Sequence, residues 1–206
     1  MGGRRQNKLE LRGNVYIVGE GITEQFYFSH LKFLRKYNYV VKPRFFGKTS
    51  ISEIQKSVEK LLLGGVTVIC VFDADVSVRN VSENENLKKF RRKYASNPNV
   101  ILCDSYPSIE FWFLLHYTKT TRNFQSADEV LIALKRYMPD FFKERSFLEN
   151  IKWVENLCQD DKLATALARS SEILAEKEQE HVGEYFPYTK IGVGIEWFEK
   201  FEKRKN

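Results

Sequence analysis

An α/β fold, with a mainly parallel sheet flanked by helices and a C-terminal helical region, is predicted for this chain of 206 residues. Three observations predict it. Short β-branched runs alternate with segments of helical periodicity through the first half of the chain. Those runs are apolar throughout rather than alternating with polar residues, as expected of strands buried on both faces. From Ile109 onward strand-like runs give way to helical patterns.

The elements follow in order. After a polar arm, Asn14-Val-Tyr-Ile-Val-Gly19 is a β-branched run closed by glycine and predicts the first strand. Thr23 is the expected cap of the next helix, because Phe26, Tyr27, His30, Leu31 and Leu34 fall at helical spacing as far as Tyr37. Tyr39 to Phe46 predicts a second strand. Ser50 opens and Gly64-Gly65 closes a helix with Ile51, Ile54, Val58 and Leu61 on one stripe. Val66 to Phe72 is the clearest buried strand. Glu83 to Ala95 reads as a charged helix with few core positions, Asn97-Pro98-Asn99 as a turn, and Val100 to Cys103 as a further strand. Helices are then expected at Ile109 to Tyr117, Ala127 to Tyr137, Phe147 to Leu157, Leu163 to Gln179 and Ile195 to Lys203. Without a repeat or a low-complexity linker, the expected division is an α/β catalytic domain over 1–118 and a helical region over 119–206 packed on it.

Composition narrows the partners. The 33 basic residues exceed the 27 acidic ones, and the net charge of +6 leans toward a polyanion such as nucleic acid. Cys70, Cys103 and Cys158 are odd in number and widely spaced, which fits neither a disulfide framework nor a zinc site. No apolar stretch reaches the ~18 residues of a membrane helix, and the arm MGGRRQNKLELRG lacks the apolar segment of a secretory signal. A cytoplasmic protein with no membrane contact is expected, and a homodimer is compatible with everything above.

Two strand ends deliver acids to one edge of the sheet. Glu20 follows the first strand directly, with Glu24 one helical turn beyond, and Asp73 and Asp75 follow the Val66 to Phe72 strand. Asp73 and Asp75 flank a single residue, so in extended backbone their carboxylates point the same way. Four carboxylates gathered without a cation repel one another, and an oxygen-rich set suits a hard divalent ion. Any one of these acids alone is most simply a solvated strand end; the set at two buried strand ends, with Gly19 and Gly21 leaving room, is harder to assign to surface decoration. The expected metal ligands are Glu20, Glu24, Asp73 and Asp75, for Mg²⁺ with Mn²⁺ as the alternative.

Glu110 begins an otherwise apolar helix, Phe111 to Leu115, and a lone carboxylate in such a setting needs either a cation or a place in the metal cluster. It joins Glu20, Asp73 and Asp75 as a catalytic candidate. His116 is a candidate proton shuttle or substrate contact, though a histidine satisfied at a helix end is the commoner case. Lys48, Arg79, Lys88, Lys89, Arg91, Arg92 and Lys93 are candidate phosphate contacts, the last five on one helix with Phe90 and Tyr94 among them. A solvated helix face is the plainer meaning of such a charge run.

In this order, VGEGITEQFYF, VICVFDAD and SYPSIEFWFLLHY resemble the signature of the RloB family of Toprim-fold proteins, over about the whole chain. The resemblance implies a Toprim domain in which Glu20, Asp73 and Asp75 bind divalent metal. Glu24 matches a second acid found in the nuclease branches. RloB-like sequences usually carry Asn-Pro before the Glu110 motif, whereas this chain has Tyr106-Pro107. Lys143, after Phe141-Phe142, lies where such proteins place a lysine after an aromatic, and Pro187-Tyr-Thr189-Lys190 resembles a Pro-x-Thr element, locally a helix start capped by Thr189. The activity implied is hydrolysis of phosphodiester bonds in RNA such as tRNA, or in DNA, within prokaryotic anti-phage defence and alongside other defence proteins. The rivals are a non-catalytic module binding nucleic acid or a nucleotide, and an enzyme acting on small phosphate esters.

Overall fold

The computed structural model of the chain describes residues 15–42, 50–75, 81–179, 183 and 185–204. In chain order, β1 (Val15–Gly19) leads through α1 (Ile22–Arg35) to β2 (Tyr39–Lys42), α2 (Ile51–Leu62) precedes β3 (Thr67–Asp73), and α3 (Val81–Tyr94) precedes β4 (Val100–Tyr106). There follow α4 (Glu110–Leu115), α5 (Ala127–Lys135), α6 (Arg145–Leu148), α7 (Lys152–Cys158), α8 (Lys162–Gln179), β5 (Tyr188–Thr189) and α9 (Ile191–Lys203). The strands lie in the order β2-β1-β3-β4-β5, the first four parallel and β5 antiparallel to β4. The mainly parallel sheet flanked by helices is the architecture that the apolar strand runs predicted.

Each face has its own core. Val18, Val68, Cys70 and Phe72 pack on one side against Ile54 and Val58 of α2 and Leu87, Phe90 and Tyr94 of α3. Val15, Ile17, Ile69, Val71 and Cys103 face the other way, into a larger core with α1, α4, the C-terminal helices and α9. Because β1 pairs with β2 on one side and β3 on the other, the winding reverses between β1 and β3. In open sheets of this kind ligands sit at that reversal, beyond the carboxyl ends of the strands.

Several boundaries differ from expectation. A fifth strand exists after Ile109: Tyr188 and Thr189, expected to open a helix, pair with Tyr106 and Ser105. Two residues are too few to show any period. The last helix is capped at Lys190 rather than by the expected Thr189, which sits in β5 and receives the Ile191 N–H on its hydroxyl at 3.3 Å. Phe147 to Leu157 is two helices, α6 and α7, parted where the Asn150 side chain accepts the Lys152 N–H at 3.0 Å. The stretch expected to continue β2 beyond Lys42 lies outside the described residues.

Helix α9 starts four residues before its expected Ile195, taking in Gly192 and Gly194. Glycine is a poor helix former, and packing explains its presence. A Cβ on Gly194 would stand 2.5 Å from Cys103 Sγ and 3.2 Å from Ile69 Cγ2, so its absence lets α9 lie directly on the sheet. Gly194→Ala is expected to destabilise the fold by about 1–3 kcal/mol through overpacking, read as a lowered urea midpoint with an unchanged slope.

Candidate metal and catalytic site

The site begins with a capping exchange at the carboxyl end of β1. Helix α1 is capped at Gly21 rather than by the expected Thr23, which is buried inside the first turn. Glu24 supplies the cap from within: its Oε2 accepts the Gly21 N–H at 3.0 Å. The two glycines make room for it, since a Cβ on Gly19 would stand 2.7 Å from Glu24 Cβ and one on Gly21 would stand 3.2 Å from Glu24 Oε2. Glu24 is therefore buried, at 4% exposure, with its carboxylate turned back toward the strand end.

The neighbouring strand answers it. Glu20 Oε2 accepts the backbone N–H of Asp73 at 3.0 Å, which ties the end of β1 to the end of β3 across the winding reversal. Asp73 Oδ1 in turn accepts the Ile109 N–H at 2.9 Å, drawing in the turn that opens α4. Asp75 sits half-buried in the turn that follows β3.

Glu110 completes the group from α4. It is fully buried, and its Oε2 receives the Ser108 hydroxyl at 2.6 Å and the Lys143 ammonium at 2.9 Å. Of the two fates open to this carboxylate in the sequence, the structure shows the pairing with a cation, and its charge also acts on Glu24 and Asp73. Its Oε1 is buried without a hydrogen-bond partner among the described residues. Ser108 went unnoticed in the sequence; a hydroxyl two residues before a buried helix-opening Glu is the signal that marks it.

The charges of these acids act on one another. Burial pushes the Glu24 carboxyl up to about 7, and Glu20 and Glu110 push in the same direction against a hydrogen bond from its own backbone and against Lys143. Asp73 is held well above the usual carboxylate range by burial and then by Glu24, Glu110 and Glu20. For Lys143, burial works against the charge, but Glu110, Asp73 and Glu24 outweigh it and hold the ammonium above its ordinary value.

Among the described residues, no three His, Cys, Asp or Glu side chains stand in the geometry of a formed metal site. The carboxylates are held apart on backbone donors. Their chemistry nonetheless fits a hard divalent cation. The donors are all oxygens, one of them is a buried atom lacking a partner among the described residues, and Glu24 and Asp73 are raised first by burial and then by the neighbouring acids.

A family model described as RloB-like protein matches residues 15–196. The chain belongs to the RloB-like family. Comparison with curated proteins and with solved structures gives no match.

The remaining candidates of this RloB-like chain are sorted by their surroundings. His116 is withdrawn from the substrate-contacting set. It is 3% exposed, its Nδ1 meets the Trp112 carbonyl oxygen at 3.0 Å, and its ring packs edge-on to Trp112 with centroids 4.9 Å apart. Burial brings its pKa down to about 3, so it stays neutral. The aromatic residues of α3 are core: Phe90 lies edge-on to Phe72 at 5.6 Å and to Tyr94 at 5.1 Å. Arg91 is not part of an open stripe either, because its guanidinium pairs with buried Asp104. Lys88 meets Glu85 at 3.2 Å and Lys93 meets Glu59 at 2.5 Å, while Lys89 and Arg92 are exposed. Lys48 and Arg79 lie outside the described residues.

A cavity of about 270 Å³ opens elsewhere, among Met138, Phe141, Phe147 and Trp153 in the helical region. No helix among the described residues is long and apolar enough to cross a membrane.

Proposed function

We propose that this RloB-like protein is a divalent-metal-dependent nuclease that hydrolyses phosphodiester bonds of nucleic acid in prokaryotic defence. The observation that carries the proposal is the meeting of Glu20, Glu24, Asp73 and Glu110, from four separate elements, where the winding of the sheet reverses. Buried Glu24 and Glu110 beside the part-buried Glu20 and Asp73 destabilise the fold, and a fold keeps such a feature for its chemistry.

Glu20, Glu24 and Asp73, with Asp75 beside them, are the groups to hold Mg²⁺ or Mn²⁺. Bound there, the ion would polarise a phosphoryl oxygen, acidify a water and neutralise the leaving oxygen. The chain's own contributions are distinct. The N–H groups of Gly21, Asp73 and Ile109 fix the carboxylates before substrate arrives. Ser108 and Lys143 hold Glu110 by one oxygen and leave the other to meet the site. Lys143 also places a positive charge beside the acids, where a phosphate would enter.

The test is incubation of the purified chain with tRNA, single-stranded DNA and duplex DNA, in Mg²⁺ or Mn²⁺ and in chelator. Cleavage that appears with the ion and stops with the chelator is expected. Cleavage indifferent to the chelator would overturn the proposal, and metal-dependent binding without cleavage would favour the non-catalytic module.

A further inference from the structure

A second charged cluster lies at the β4–β5 edge. Strand β4 runs on past Cys103, and Asp104 turns its carboxylate to the α3 side of the sheet, where it is 1% exposed. Its Oδ2 accepts from the Arg91 guanidinium and, at 2.7 Å, from the Tyr188 hydroxyl, while Lys190 Nζ stands 3.0 Å from Oδ1. Arg91 also donates to the Tyr188 hydroxyl at 2.9 Å. Lys177, from α8, sets its ammonium 4.7 Å from the centre of the Tyr188 ring, and Lys190 sets its own at 5.9 Å from the same ring.

The charges do not balance. Three cations surround one carboxylate, which leaves an excess of two positive charges (3 − 1 = 2). A single Arg91–Asp104 pair would suffice to tie α3 to β4, so Lys177 and Lys190 add positive charge beyond that pair, and Lys177 is repelled by both Lys190 and Arg91. The strain registers on Lys177, whose charge is disfavoured by burial and then by Lys190 and Arg91, more than Asp104 relieves. Arg91 Nε is buried with no acceptor among the described residues. The heads are reachable, since the Arg91 and Lys190 side chains are 35% and 41% exposed.

Position supplies the rest. Asp104 is next to Ser105, the residue in register with Asp73 on the adjacent strand. The cationic cluster is thus centred on β4 and β5, near the same carboxyl-terminal edge of the sheet as the acids, with β4 the strand next to β3. A polynucleotide crossing that edge spans both.

We propose that Arg91, Lys177 and Lys190, gathered around Asp104 and Tyr188, form a phosphate-binding site that holds the nucleic-acid backbone beside the acidic cluster. The inference rests on the nuclease reading for the identity of its ligand. Its ligand class is a phosphodiester or terminal phosphate of a polynucleotide.

Binding of labelled single-stranded oligonucleotides, with and without a 5′-phosphate, is measured by fluorescence anisotropy in chelator across a salt series. The Lys177→Gln/Lys190→Gln variant keeps the Arg91–Asp104 pair. It is expected to bind about tenfold more weakly, with the slope of log affinity against log salt reduced by about 1.4, or ~0.7 for each lost phosphate contact. Lys177→Gln alone leaves the Asp104 contacts in place and should give half that change, and Lys177→Arg/Lys190→Arg should restore both values. Preference for the 5′-phosphorylated probe would assign a terminal phosphate and equal binding an internal one. Unchanged affinity and slope in variants that melt like the parent, or an absence of salt-dependent binding by the parent, would overturn the proposal. Because no turnover occurs in chelator, this result is independent of whether the acidic cluster cleaves.

Discussion

Glu24→Gln is expected to lower phosphodiester cleavage by roughly 100- to 1,000-fold while raising the melting temperature of the metal-free protein. Glutamine keeps an oxygen to accept the Gly21 N–H and fills the space beside Gly19, so the capped start of α1 survives. What disappears is one negative charge from a buried group that already contains Glu20, Asp73 and Glu110. An acid set that stabilises charge in the transition state contributes several kcal/mol, and each 1.36 kcal/mol is about tenfold in rate.

The gain in stability has the same origin as the loss of activity. Burying Glu24 among like charges disfavours its ionised form, and an amide escapes that penalty. Asp73→Asn should behave likewise, and the double variant should lose less than the product of the two single losses, because the acids act as a unit. Full cleavage by Glu24→Gln would remove the carboxylate from the machinery. A matching fall in melting temperature would mean that the group serves the fold instead, with Lys143 as its neutralising partner.

How much of this was legible in the sequence depends on how local each cause is. Strands β1 and β3 announce themselves as continuous apolar runs because both faces are covered, and the acids that end them are adjacent because the order of a parallel sheet brings those ends together. The family signature in VGEGITEQFYF and VICVFDAD agrees with the matched model over 15–196. Partners brought in from afar were not legible. Nothing near Lys143 in the chain shows that it reaches Glu110, 33 positions earlier (143 − 110 = 33). Asp104 was passed over because β4 seemed to end at Cys103. Its three remaining residues, Asp104 to Tyr106, are polar or aromatic and lose the apolar signal while staying in the sheet. Phe90 and Tyr94 sit among arginines and lysines named as candidate phosphate contacts, yet the period of α3 turns them onto the sheet while Lys89 and Arg92 face out. Composition of a segment identified the helix; only its packing partner identified the face.

Acidification should stabilise the metal-free protein, and divalent metal should reverse that trend. Glu24 has its pKa raised from 4.5 to about 7, so the folded state keeps a proton that the unfolded chain gives up near pH 4.5. A raised pKa contributes stability that is fully present below the unfolded value and is lost as pH climbs through the folded one. For Glu24 the window runs from about pH 4.5 to beyond 7, with a loss on the order of 3 kcal/mol, or roughly 6–12 °C in melting temperature for a chain of this size. Asp73 is shifted in the same direction and adds to the slope. A cation held by these groups competes with the proton, so its binding strengthens as the carboxylates ionise. Mg²⁺ or Mn²⁺ should therefore raise the melting temperature more at about pH 8 than at about pH 5, and Glu24→Gln should flatten both the pH profile and the metal response. A melting temperature independent of pH across that window would mean that the acids are neutralised within the fold. Equal stabilisation by metal at both pH values would place the ion somewhere other than on Glu24 and Asp73.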